Sequence, residues 1–161
     1  MRFILYIFLL FLLAFYNTIL GEIISISGVS IDLAGLLVAL VALYRGESTA
    51  IWFAIGAAIV TSTPRLDLMP YEMATLIGMS IIINMICNRM NFYSQASRLI
   101  MLIIFLLVHN MVITVVISSD GMFFALYRFI LPGILYSIIF GWLYFVVHDG
   151  LFGFRRAGSV S

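Results

Sequence analysis

Lysine is missing from this chain of 161 residues, and charge of either sign is scarce: eight arginines and seven acidic residues leave only 9% of positions charged. A soluble domain carries about 25% charged residues, so no water-facing surface can be assembled from so few. With no basic run, nothing suggests nucleic acid as a partner. Cysteine is nearly absent too. Cys87 stands alone, so no internal disulfide can form, and no Cys/His cluster has metal-ligand spacing. In its apolar run Cys87 reads as a small buried hydrophobe. The three prolines are Pro64 and Pro70, where an apolar segment ends, and Pro132, which is expected to bend or loosen another. Catalytic signatures are also lacking. There is no serine elbow, H-E-x-x-H pair, Walker loop or mid-segment aspartate pair. Catalysis therefore has no positive signal, and no cofactor or metal is expected.

What remains is 65% hydrophobic, which points to an integral membrane protein with several spans. The opening "MRFILYIFLLFLLAFYNTILGE" resembles a signal peptide, but its apolar stretch is too long. The candidate cleavage region "YNTILGE" offers no A-x-A-like site. A retained first span is expected. Crossing the hydrocarbon core takes roughly 20 apolar residues per helix. Six candidates emerge, at about 3–20, 31–44, 48–62, 71–90, 97–117 and 123–148, the second with a possible earlier start in "IISISG". They use most of the chain, so a single all-α transmembrane domain is expected, with no soluble domain and a short tail after Asp149–Gly150.

The segment 48–62 is barely long enough and ends in a proline-containing stretch, so a re-entrant course is the alternative. Arginine placement decides between them, because cytoplasmic loops carry the excess of basic residues. Six full spans with both termini cytoplasmic put Arg2, Arg45, Arg89, Arg98, Arg155 and Arg156 inside, with Arg65 and Arg128 towards the other face. A non-crossing third segment would move Arg89, Arg98, Arg155 and Arg156 outside and erase the bias. Tyr16, Tyr44, Trp52, Tyr71, Tyr93, Tyr127 and Tyr144 fall near span ends, as an interfacial aromatic belt would.

Between helices in lipid, close approach of small residues does more than apolar burial. Gly133, Ser137 and Gly141 repeat at i, i+4 and i+8 in the sixth span, and Ala50, Ala54 and Ala58 do so in the third. Each row lies on one helix face, expected to meet another helix of this chain or of a partner. Polar residues inside spans need partners as well. Ser80, Asn84 and Asn88 line one face of the fourth span, and His109, Asn110 and Thr114 sit in the fifth. Counting from opposite ends sets Ser80 and Asn110 at similar depth, so hydrogen bonds between spans four and five are expected. A substrate or proton site on His109 is the sharper alternative. It lacks a nearby second titratable group, because Asp32 is expected at the outer edge.

Asp32 opens the second span in "SGVSIDLAGLLVALVALYRGES". Its carboxylate can cap the first turn, where the helix dipole favours negative charge; docking of a partner is the alternative. Ile31-Asp32-Leu33, the aliphatic run and Tyr44-Arg45-Gly46 resemble the second span of the rod shape-determining MreD family, without that family's proline before the aspartate. "WFAIGAAIV" is similar to its third-span pattern at Phe53 and Gly56, with Trp52 in place of a glycine and Val60 in place of an aspartate. Leu131-Pro132 with Ser137, and the basic pair Arg155-Arg156, are similar to its last span and end.

The resemblance implies a non-enzymatic membrane scaffold of the bacterial cell-elongation machinery, in the cytoplasmic (inner) membrane. Its implied partners are an MreC-like protein, the MreB filament system, a RodA-type glycosyltransferase and a penicillin-binding transpeptidase, besides membrane lipid. In overall plan the family is similar to the substrate-binding subunits of energy-coupling-factor transporters, which keeps a small-molecule binding subunit as the alternative. A polar or aromatic pocket opening outward, built on Tyr71, Glu72, Trp52 and Asn110, is expected of such a subunit, and a closed, hydrated cavity of about 300 Å³ or more would favour it. An enzyme would need His109 to meet a carboxylate or hydroxyl at a cavity.

Overall fold

The computed structural model describes residues 2–24, 29, 31–89, 94–117, 124 and 126–157. Six helices form among them. Helix α1 is Arg2–Phe15, continued by a π-helical turn, Tyr16–Leu20, and a last α turn, Gly21–Ile24. Then follow α2 (Leu33–Tyr44), α3 (Glu47–Ser62), a 3-10 turn (Leu66–Leu68), α4 (Met69–Arg89) and α5 (Gln95–Ile117). A second π turn, Leu126–Ile130, leads into α6 (Leu131–Ala157). Tyr93, Asp120 and most of the "IISISG" segment lie outside the described residues.

The apolar runs locate these helices because continuous apolar sequence can only be buried or placed in lipid. Helices α4 and α5 and the stretch Leu126–His148 are long and apolar enough to cross a membrane, whereas Ile4–Leu20, Leu33–Tyr44 and Glu47–Ser62 are apolar but shorter. Two boundaries differ from expectation. The first helix continues past residue 20 to Ile24, and α6 continues to Ala157 where a tail was expected. The π turn at Leu126–Ile130 ends two residues before Pro132. A proline cannot donate to the carbonyl four residues back, and a wider turn there removes that demand on Arg128.

Helix α2 is the centre of the bundle. It touches all five other helices, and α3, α4, α5 and α6 also pack in sequence order, with α1 against α3. Eight of its twelve residues are buried. Ala34, Gly35, Ala39 and Ala42 among them let neighbouring backbones come close. The alanine row of α3 is wholly internal: Ala50, Ala54 and Ala58, with Ala57, are 0% exposed. Gly56 faces α1, where an added Cβ would meet the Leu10 side chain at 2.8 Å. Gly133, Ser137 and Gly141 are buried on α6. A Cβ on Gly141 would collide with Leu102 of α5 and press Leu36 of α2.

The two ends of α2 are tied to α5. At one end the Arg98 guanidinium donates to Tyr44 Oη (2.7 Å) and lies over its ring. At the other, Asp32 meets His109. Twelve residues separate the two contacts on α2 and eleven on α5, as expected of antiparallel neighbours with equal rise. Asn84 of α4 donates to the carbonyls of Ala42 (3.2 Å) and Ser80 (3.2 Å), pinning α4 to the Tyr44 end. The aromatic residues divide. Trp52, Tyr71, Tyr127 and Tyr144 are exposed, as a belt requires, but Tyr16 is only 8% exposed and bonded inside the bundle.

Candidate functional site

The short segment before α2 is where four helices meet. Asp32 has non-helical backbone angles (φ −78°, ψ 78°), and its Oδ1 accepts the Gly35 N–H at 2.8 Å, so the carboxylate caps α2. The other oxygen, Oδ2, accepts Asn110 Nδ2–H at 2.8 Å and lies 2.9 Å from His109 Nδ1. The Asp32 backbone N–H donates to Ser137 Oγ (3.1 Å), and that hydroxyl donates to the Gly133 carbonyl (2.9 Å). Tyr16 completes the set. Its hydroxyl donates to the Ile31 carbonyl (3.0 Å) and accepts the Ile31 N–H (3.1 Å), so one side chain satisfies both polar groups of a backbone unit that has left the helix.

The depth count from sequence is overturned here. His109 and Asn110 bond across to α2, while Ser80 turns back on its own helix, to the Ile77 carbonyl (2.9 Å). The reason is length. Twelve residues make a helix roughly 18 Å long, against about 35 Å for the 23 of α5. The start of α2 therefore falls beside the interior of α5 and meets residues that lie two turns inside it. Asn84 holds α4 to α2 at the opposite end and takes no part, and Asn88 is exposed.

Sequence reasoning missed three contributors. Gly35 is one: a Cβ there would stand 2.5 Å from Asp32 Oδ2 and 2.9 Å from its Cγ, so the capping carboxylate fits only over a glycine. Asp followed three residues later by Gly at a helix start was the available signal. Tyr16, assigned to an interface belt, is the second. The third is the pairing of Glu72, itself a candidate pocket residue from sequence, with hydroxyls of α3. Glu72 Oε2 accepts the Ser62 hydroxyl at 2.9 Å and makes a short hydrogen bond with Thr61. No local spacing links Glu72 to Thr61 and Ser62, because the chain reverses between them.

These groups surround a partly open cavity of about 260 Å³. Asp32, Glu72, His109, Asn110, Thr61 and Asn17 supply its polar wall, and the rest is apolar. His109 is 7% exposed, and its Nε2 is buried without a hydrogen-bond partner among the described residues. A carboxylate on Nδ1 orients the ring as in acid–base sites. The third member of such a relay, a hydroxyl on Nε2, is not formed among the described residues, where the Thr61 and Ser62 hydroxyls engage Glu72 instead. No group of three or more His, Cys, Asp or Glu residues suited to a metal ion occurs among the described residues.

Two substitutions test this reading. Gly35→Ala is expected to displace the Asp32 carboxylate and cost about 1–3 kcal/mol, the usual range for overpacking a tight site. Tyr16→Phe leaves the Ile31 N–H and carbonyl with one partner fewer each, and should cost about 1–2 kcal/mol. Both are measured as loss of stability of the purified chain in detergent, and an unchanged unfolding midpoint in either would contradict the assigned role.

By fold this is an all-helical bundle with three helices of membrane-crossing length and a polar site at the start of its central helix. No family model, curated protein or solved structure matches the chain.

Proposed function

We propose that the chain is a non-enzymatic scaffold of the bacterial cell-elongation machinery, MreD-like, crossing the inner membrane six times with both termini cytoplasmic. On this reading the shorter apolar helices α1, α2 and α3 supply three crossings beside those of α4, α5 and α6. The observation that carries this reading is the use made of Ile31-Asp32-Leu33, the stretch on which the resemblance to MreD rests. Side chains from α1, α5 and α6 converge on it, and the Asp32 carboxylate is occupied by a helix cap, an amide and an imidazole. A carboxylate so engaged fixes the relative positions of helices, which is what a scaffold requires. The partners on this reading are an MreC-like protein, the MreB filament system, a RodA-type glycosyltransferase and a penicillin-binding transpeptidase.

Affinity purification of the tagged chain in mild detergent, followed by mass spectrometry, tests the proposal. Wall-synthesis proteins should be recovered, and depletion of the chain should convert rods to spheres. Recovery of a transport ATPase instead would support the energy-coupling-factor alternative. The polar cavity of about 260 Å³ is partly open and smaller than the closed cavity of about 300 Å³ or more that this alternative calls for.

A further inference from the structure

We propose that the cavity between Asp32 and Glu72 is a binding site for a primary ammonium group, supplied by a small free amine or by the headgroup of an ethanolamine lipid. The inference is independent of the scaffold reading and stands on the composition of the wall.

Two carboxylates line the cavity; among the described residues no Arg lines it, and His109 is the only lining group able to carry positive charge. Negative charge inside an apolar bundle is costly unless it is paired. Asp32 has its pairing, but Glu72 is held through Oε2 alone, by two neutral hydroxyls. No hydrogen bond from the described residues reaches its Oε1. His109 presents the second unmet group. With Nδ1 donating to the Asp32 carboxylate, Nε2 of the neutral ring is an acceptor, and it is buried without a partner. The unmet groups are thus acceptors of like character, one of them formally anionic. A ligand that suits them brings N–H donors and positive charge on a compact head, and the apolar remainder of the wall suits a short alkyl stem. An alkylammonium has both. A quaternary ammonium of similar size has the charge but no donor.

The full chain, with His148→Gln so that His109 is the sole histidine, is placed in phosphatidylcholine nanodiscs. Ethylammonium is titrated while the His109 imidazole ¹⁵N resonances and the melting temperature are followed. Ethylammonium is expected to shift the Nε2 resonance saturably and raise the melting temperature, while tetramethylammonium and sodium at equal concentration do neither. Glu72→Gln, which keeps an oxygen for Thr61 and Ser62, should weaken binding about tenfold, the loss expected for one charge-assisted contact. Nanodiscs containing phosphatidylethanolamine separate the sources. A shifted Nε2 resonance there without added amine identifies the lipid headgroup, and a shift only on titration identifies a free amine. The proposal is overturned if neither ethylammonium nor the ethanolamine lipid moves the resonance, if tetramethylammonium or sodium moves it equally, or if Glu72→Gln binds as well as the parent. The comparison of cations on the unsubstituted Glu72 needs no variant, so a poorly folding Glu72→Gln would leave the test intact.

Discussion

Gly141→Leu is expected to yield no folded chain. At this position α6 approaches both α5 and α2, and a single added methyl would already collide with Leu102 and press Leu36. Leu102 is itself fully buried (0% exposed), so it has no free space to move into. Adding one methyl to such a contact costs about 1–3 kcal/mol; a leucine adds three more carbons and must push the helices apart. Separation of α6 would also withdraw Ser137 from the Asp32 N–H. Gly78 provides the control, because nothing lies within 4 Å of a Cβ built there. Gly78→Leu should purify as a monodisperse species by fluorescence-detected size exclusion, and Gly141→Leu should aggregate. Equal behaviour of the two variants would mean that α6 does not dock as described.

Asp32→Ala should be the most damaging loss of a polar side chain. It removes the cap from Gly35, strands the His109 imidazole and leaves the Asn110 amide only its bond to the Leu106 carbonyl. Removing one partner of a buried charged network costs about 3–5 kcal/mol, although hydrogen bonds between membrane helices average nearer 0.6 kcal/mol each. The expected loss is therefore about 3 kcal/mol in reversible unfolding. Asp32→Asn keeps an acceptor for Gly35 and should lose about half as much. His109→Ala should also be costly, since that side chain is buried and bonded to Asp32. The direct test is the pair: Asp32→Ala and His109→Ala together should cost less than the sum of the single losses, by at least about 1 kcal/mol. Strict additivity would show that the two side chains do not interact in solution.

Helix positions were legible because apolar run length is a long-range average. The run at 71–90 became Met69–Arg89, and that at 97–117 became Gln95–Ile117. Capping by Asp32 was legible as well, since it depends on only the four consecutive residues from Asp32 to Gly35. The meeting of Asp32 with His109 was not. Asp32 was placed at the outer edge because it opens a span, but α2 is about half the length of α5 and begins beside that helix's interior. Neither π turn could be read, because each inserts a residue into a helix without changing its composition. Tyr16 was assigned from its place near the end of an apolar run; the π turn that begins there keeps the chain helical to Ile24 and leaves the hydroxyl facing Ile31. Glu72 with Thr61 and Ser62 was hidden by the reversal between α3 and α4, which brings together residues that share no helical period.

His109, Asn110 and Ser137 lie 77, 78 and 105 positions beyond the aspartate they hold. A ribosome emits the aspartate long before any of them. During biogenesis the central helix is thus delivered to the membrane with only the Gly35 N–H to meet its anion, and the side chains that quench it come from α5. Assembly of this molecule is ordered by translation itself: the last helix to emerge is the one that locks the second.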